Sequence, residues 1–392
     1  MIELPAIRTP DNLPEPDADS RAHAQRVQAM LLDRIKAAGG WLSFEAWMQA
    51  ALYEPGLGYY SAGSAKLHLG GDFTTAPETS PLFAQALAPQ VAQILQASGS
   101  QTVLEFGAGT GALAAALIPA LQGLGIQVHY QIIELSADLR ARQQEQLGWW
   151  RDQVEWLDAL PEAFSGCVLA NEVLDAMPVV LFQYGAQGLI QQLGVEHRPD
   201  VDGSPFAWAA RPMPDALATQ IAARLPAMPG YRSEINLQAE AWMRQMGQWL
   251  KRGAALLIDY GFPQAEYYHP QRLQGTLMCH FRHHAHDQPL ILPGLQDITA
   301  HVDFTAMADA ALDGGLDVLG YASQARFLMN GGLAQLIRAP GCDPAARARE
   351  LAAINTLTSE AEMGELFKVL AVGRDIDGPL LGFVRGDRRD RL

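Results

Sequence analysis

Three alternating glycines, Gly107, Gly109 and Gly111, follow the apolar run Val103-Leu104-Glu105-Phe106 and lead into an alanine-rich stretch. Glycine adopts φ > 0 at no steric cost and lets a ligand approach the backbone. A helix beginning near Gly111 would add free N–H groups and a positive dipole end. Strand, turn and helix in this order make a cradle for a nucleotide cofactor at the carboxyl end of a strand. The dinucleotide fingerprint Gly-x-Gly-x-x-Gly/Ala is met loosely, by Gly107, Gly109 and Ala112. Two features point elsewhere. Gly111 occupies the fifth position of that motif, and Glu105 sits near the end of a strand where a buried parallel sheet takes apolar residues. A carboxylate there needs a cationic or N–H partner. S-adenosyl-L-methionine (SAM) offers one in the ammonium of its methionine end, and it has no pyrophosphate. The loop Glu105 to Gly111, with Ala108 inside it, is therefore read as a SAM-binding loop. A dinucleotide, or a glycine-rich turn without a ligand, is the alternative.

A second apolar run, Val128 to Leu135, carries Glu134 at its end, 23 residues past Gly111. At this distance in nucleotide folds an acid takes the ribose hydroxyls. A carboxylate can accept from both of them at once. Glu134 and its neighbour Leu135 are accordingly cofactor-binding candidates; the plainer reading is an acid at the start of a helix opened by Ser136. A later strand ends Ala170-Asn171-Glu172-Val173-Leu174-Asp175. Ligands sit at the carboxyl ends of parallel strands. That places Asn171 against the cofactor and Glu172 and Asp175 near the group it donates, where carboxylates could bind a cationic or amine substrate. Asp158, after another strand, is a candidate for the adenine amino group. Thr75 and Glu78 precede a helix, and read either as an N-cap cluster or as part of a lid over the cofactor. His280, His283, His284, His286 and Asp287 crowd together, yet without the ligand spacing of a metal site, so no metal is expected. They read as hydrogen-bonded loop residues or as the lining of a substrate cleft that includes a general base.

These groups need a frame. Strands are expected at 102–107, 128–135, 153–157, 166–172 and 254–260, with helices at 111–122, 137–147 and 234–251 between them. Such alternation predicts an α/β fold with a parallel sheet covered on both faces. A helix at 303–313 and strands at 316–321 and 366–373 would complete a seven-stranded sheet with one reversed strand. The division that follows is a flexible N-terminus at 1–20; an N-terminal helical segment with a cofactor lid at 21–100; a core at 101–177, 233–261 and 303–375; insertions at 178–232 and 262–302; and a C-terminal strand and tail at 376–392. The first insertion reads as a hairpin over 180–197 followed by polar connections, and the stretch 56–81 is too long for a plain connector.

The chain has 392 residues, 49% of them hydrophobic and 18% charged, which fits a folded protein with a large core. Its net charge of −15 argues against nucleic acid and anionic membranes as partners, since both reward a basic surface. Three scattered cysteines, Cys167, Cys279 and Cys342, suggest a reducing compartment. With no apolar signal core near the N-terminus and no run long enough to span a bilayer, a cytoplasmic location is expected.

The motifs together resemble the MidA-type SAM-dependent methyltransferases, a family that includes a mitochondrial protein-arginine methyltransferase assisting complex I assembly. The resemblance is carried by Ala51 to Tyr60, Gly71 to Glu78, Glu105 to Gly111, Asn171 to Pro178, Ile258 to Gly261 and Asp297 to Phe304, in family order across residues 20 to 375. The chain departs where the family usually has a tyrosine at the place of His280 and an arginine at that of His284; His283 and His286 do match. The resemblance implies a Rossmann-like class I fold and methyl transfer to an arginine of a partner protein. A guanidinium is always charged, which makes Glu78, Glu172 and Asp175 the catalytic candidates, with His283 beside them. Alternatives are a noncatalytic assembly factor that keeps the SAM fold, and a nucleotide-dependent oxidoreductase.

Overall fold

The computed structural model describes residues 4–62, 75–201, 204–337 and 343–392. The chain divides into two compact units.

The larger unit comprises Thr74–Leu174, Ala239–Pro263 and Phe304–Leu392. It is built on a sheet whose strands follow one path: Asp317–Ser323, Phe367–Arg374, Leu250–Phe262, Phe164–Asn171, Thr102–Phe106, His129–Ile133 and Val154–Leu157. The expected count of seven thus describes this path. Phe367–Arg374 runs antiparallel to both neighbours, while the other pairings along the path are parallel. The central strands are apolar on both faces, as burial between two helical layers demands. Val103, Leu169, Leu256 and Val369 share one core cluster with Phe83 and Leu87 of helix Pro81–Ser98 and Leu117 of helix Ala112–Gly123. Phe106 meets Trp242 edge to face at 5.1 Å. Helix Pro81–Ser98 starts where Ser80 accepts from the Leu82 N–H and Pro81 pre-sets φ, and it stops at Gly99 in the left-handed region.

The smaller unit comprises Met1–Phe73, Asp175–Gln238 and Gln264–Asp303. Its antiparallel sheet orders Trp41–Ser43, Ile190–Val201, Val180–Tyr184 and Arg232–Ile235, with Ser204–Pro212 paired to Ile190–Val201. A second sheet orders His284–His286, Met278–Phe281 and Asp297–Thr299. Helix Ala18–Ala37 buries Val27, Leu31 and Ile35 in a cluster with Trp47, Leu193 and Phe206. Trp47 and Phe206 meet edge to face at 4.5 Å.

Several expected boundaries move, each for a packing reason. The N-terminal segment is not one piece: residues through 73 group with the inserted strands, because the stripe Val27-Leu31-Ile35 has its apolar partners there. Residues 74–100 group with the core through the buried helix Pro81–Ser98. Helix Ala18–Ala37 begins inside the expected flexible stretch, capped by the Asp17 carboxylate, which accepts from the Ser20 N–H at 2.8 Å. The polar connections expected after residue 197 contain strand Ser204–Pro212, which buries Phe206, Ala207 and Trp208, and helix Asp215–Arg224. Ahead of the helix expected at 234–251, Arg232–Ile235 is a strand. The C-terminal stretch 376–392 has no strand; it forms short 3-10 turns at Leu381–Phe383 and Arg389–Arg391 and buries Leu380 and Phe383 in the core. Residues 63–74 of the long loop expected at 56–81 lie outside the described residues. Among the described residues no helix is long and apolar enough to cross a membrane.

One contact fixes how closely two core strands can approach. Gly253 pairs with Gly166 across Leu250–Phe262 and Phe164–Asn171, and a Cβ on Gly253 would lie 1.9 Å from the Gly166 carbonyl oxygen. Gly253 also has φ +134. Gly253→Ala is expected to lower the unfolding free energy by at least about 2 kcal/mol, measured by urea denaturation. A change within about 0.5 kcal/mol, the range of an ordinary surface substitution, would contradict the constraint.

Candidate cofactor site

The order of strands reverses between Thr102–Phe106 and Phe164–Asn171, which are neighbours in the sheet. In open α/β sheets the crevice at such a reversal, at the carboxyl ends of the strands, is where ligands bind. Phe106 is level with Ala170 there. The glycine run leaves the first of these strands, and Asn171 ends the second, with Glu172 next in the chain.

Gly107, Gly109 and Gly111 take φ of 61°, 54° and 86°, so each alternate residue of the run is left-handed. The Gly107 N–H donates to the Ile133 carbonyl at 3.0 Å, and the Gly111 N–H donates to Ala108 O at 2.7 Å. Gly111 then caps helix Ala112–Gly123, and Ala108 is buried beneath the loop. A Cβ on Gly107 would press on Val173 at 3.1 Å, whereas one on Gly109 would point into open space. The run is a concave backbone surface that side chains would fill.

Glu105 is buried, and the Tyr130 hydroxyl donates to its carboxylate at 2.7 Å. A buried acid needs a partner, and this one finds it on the neighbouring strand. Burial pushes its pKa up to about 7 against the Tyr130 hydrogen bond, with the Glu134 charge adding to the rise.

Glu134 stands just past the His129–Ile133 strand. One carboxylate oxygen accepts from the Ser136 N–H and the other from the Gln143 amide, both at 2.9 Å. Burial raises its pKa, and these donors oppose the rise. Leu135 beside it is 84% exposed, an apolar surface suited to the flat face of a base. Asp158 is exposed after strand Val154–Leu157 and is paired with Arg140 at 2.5 Å.

Glu172 is held in a left-handed conformation, φ 54°, an arrangement that costs a non-glycine residue energy and tends to occur at functional positions. Its N–H donates to Ile258 O at 2.9 Å. Its Oε1 accepts from the Asn171 amide at 3.1 Å and from the Ala76 N–H at 3.4 Å. The Asn171 Oδ1 is buried with no partner among the described residues. Ala76 opens the short helix Ala76–Thr79, whose N-cap is Thr75. Glu78, expected as a catalytic acid, accepts from the Thr75 N–H at 3.3 Å and from the Thr110 hydroxyl at 2.9 Å. It caps that helix and ties it to the glycine loop. The buried Asp259 was not singled out by the sequence, although a carboxylate inside an apolar strand is a visible signal. It accepts from the Leu174 N–H at 3.0 Å and the Tyr260 N–H at 2.9 Å, and so braces the chain after Glu172.

Asp175 and the histidines belong to the smaller unit. Asp175 is buried, and its carbonyl accepts from the Ala300 N–H at 2.9 Å. His283 is exposed at the tip of the hairpin between Met278–Phe281 and His284–His286, with φ 65°, and this turn position rather than a buried catalytic setting accounts for it. His286 is buried, and that burial lowers its pKa to about 4, so it is neutral near pH 7. Among the described residues no group of three or more His, Cys, Asp or Glu side chains is placed to hold a metal ion.

Residues 86–322 match the family described as S-adenosyl-L-methionine-dependent methyltransferases. The chain belongs to this family. A crystal structure of a COG1565 superfamily member from Burkholderia thailandensis, bound to S-adenosyl-homocysteine, is 50% identical and superposes with a TM-score of 0.91 over 97% of this chain and 100% of that one. Two curated relatives carry the name protein arginine methyltransferase NDUFAF7, mitochondrial: that of Danio rerio is 29% identical, covering 86% of this chain and 84% of its own length. That of Homo sapiens is 27% identical, covering 87% and 82%.

The residues of this methyltransferase fit SAM. The open backbone at Gly109, the orphaned Asn171 Oδ1 and the exposed Leu135 beside Glu134 offer a cradle, an acceptor for an ammonium, and an apolar face next to a diol acceptor. Glu134→Ala should weaken S-adenosyl-homocysteine binding by about 10- to 100-fold, the loss of a hydrogen bond to a charged group, measured by calorimetry. An unchanged affinity would remove Glu134 from the site. Glu105 makes a separate prediction. Its raised pKa means that the folded state holds a proton the unfolded state has lost, so stability falls as pH rises from about 4.5 to about 7. In urea denaturation, Glu105→Gln should gain about 3 kcal/mol on the wild type between those pH limits. A difference that stays flat with pH would contradict the buried, uncharged Glu105.

Proposed function

We propose that this methyltransferase transfers the methyl group of SAM to an arginine side chain of a protein. The supporting observation is Glu172, a half-buried carboxylate fixed in a strained conformation at the carboxyl end of strand Phe164–Asn171. The curated relatives, named protein arginine methyltransferases, support the same reading.

SAM supplies an electrophilic methyl group on a sulfonium. The protein must hold a nucleophile in line with it, and alignment matters more here than a strong base. An arginine side chain stays charged at every physiological pH. A carboxylate is its natural partner, able to pair with two N–H groups in one plane. Glu172 does this work in the proposal, its carboxylate kept in place by the Asn171 amide and the Ala76 N–H. Glu78 and His283 are left out of it, the first because its oxygens cap Thr75 and accept from Thr110, the second because of its exposed turn position. A cytoplasmic location completes the proposal, supported by cysteines scattered through the sequence.

Glu172→Gln keeps the shape and the Oε1 acceptor and removes the charge. Transfer to protein should fall by at least ~100-fold while S-adenosyl-homocysteine binding changes little, since a cation deprived of its carboxylate loses a few kcal/mol. The assay is tritiated-methyl transfer to a lysate from a deletion strain, followed by mass spectrometry of the labelled band. Label on lysine, on a carboxyl group or on a small molecule would overturn the arginine assignment.

A further inference from the structure

We infer that Gln143 is a positioning residue for cofactor binding, acting through Glu134 and through the glycine loop. Its side chain is fully buried on helix Ala137–Gln146 and makes three hydrogen bonds. The amide nitrogen donates to Gly109 O at 2.9 Å and to the Glu134 Oε2 at 2.9 Å. The amide oxygen accepts from the Trp156 indole N–H at 3.0 Å. A primary amide has two N–H groups, and these contacts use both, one on the backbone of the loop and one on the carboxylate.

The three partners come from three elements. Gly109 lies in the turn after Thr102–Phe106, Glu134 follows His129–Ile133, and Trp156 lies in Val154–Leu157. Only an amide joins them all. A carboxylate at this place would repel Glu134 and leave Gly109 O without its donor. An apolar side chain of the same length would leave three partly buried polar groups without this partner, each at a cost. The fit is also steric: a Cβ on Gly111 would touch the Gln143 Cγ at 3.5 Å, so the helix rides close against the loop. One turn earlier, Arg140 of the same helix donates to Trp156 O at 3.3 Å and pairs with Asp158 at 2.5 Å.

The consequence for binding is specific. A carboxylate that accepts from two ribose hydroxyls must present both oxygens at a set angle, and a donor from behind on Oε2 fixes that angle in advance. Preorganisation of this kind appears as affinity for the group being bound and not for the rest of the ligand. Gln143 therefore acts on the ribose hydroxyls through Glu134.

The test compares S-adenosyl-homocysteine with its 2′,3′-dideoxyribose analogue by calorimetry on the full chain. Gln143→Met should bind S-adenosyl-homocysteine about tenfold more weakly than the wild type, with a much smaller loss on the dideoxy analogue. Glu134→Gln should then cost less in the Gln143→Met background than in the wild type, because the two residues act as one unit. Equal losses on both ligands would reduce Gln143 to a packing residue and overturn the inference, as would no loss on either. If thermal melting shows that Gln143→Met does not fold, Gln143→Glu, which keeps the shape and the acceptor for Trp156, carries the same comparison under the same two outcomes. No protein substrate enters these measurements, so their result is independent of the arginine proposal.

Discussion

The strand Thr102–Phe106 must end, turn and start a helix within five residues while leaving its backbone open to a ligand. Side chains forbid that path. At Gly107, Gly109 and Gly111 the chain is left-handed, a region that costs other L-residues energy and glycine almost nothing. Once the loop takes this form, its polar groups need partners, and the neighbouring elements supply them. Ile133 O accepts from Gly107, Gln143 donates to Gly109 O, and Glu78 accepts from Thr110. The parallel order of the sheet, the packing of helix Ala137–Gln146 and the short helix Ala76–Thr79 are therefore linked to one turn.

Burial of acids is the second recurring theme. Glu105, Asp175, Glu234 and Asp259 are all buried. Glu234 shows how an acid is kept inside the smaller unit: its Oε1 accepts from the Thr276 N–H at 2.8 Å, from the Tyr267 hydroxyl at 2.9 Å and from the Thr276 hydroxyl, while burial pushes its pKa up. Gly275 has no room for a side chain because a Cβ would lie 2.2 Å from the Glu234 Oε2. Buried carboxylates of this kind mark structure as often as chemistry. What separates Glu172 from them is its partial exposure, its left-handed backbone and its place at the end of a parallel strand.

Much of the larger unit was legible because its signals are local. A strand followed by Gly-x-Gly-x-Gly and an alanine-rich helix leaves few alternatives, and Glu134 and Glu172 are found at strand ends where the pattern places them. The smaller unit was harder to read. Trp41–Ser43 pairs with Ile190–Val201, and this partnership spans some 150 residues of chain that no periodicity reports. Strand Ser204–Pro212 carries no alternating pattern, with Phe206, Ala207 and Trp208 buried in a row, and only its pairing with Ile190–Val201 identifies it. The C-terminal turn at Leu381–Phe383 was read as a strand because its apolar residues fit either state, and what decides is the cluster into which Leu380 and Phe383 are packed.

Glu105 shows how a correct conclusion can rest on a link that the structure replaces. The acid in an apolar strand was reason to expect a cationic ligand, since an unpaired carboxylate is expensive to bury. The premise holds, but Tyr130 supplies the partner, and protonation near pH 7 removes part of the cost. An acceptor whose chemistry fits an ammonium is the buried Asn171 Oδ1, one strand away. An amide oxygen suits that task because it keeps its acceptor character at every pH. Cofactor binding then need not follow the titration of Glu105, whose charge is coupled to folding stability. The two neighbouring strands thus differ, with an acid paired inside the fold on one and a buried, neutral acceptor without a partner among the described residues on the other.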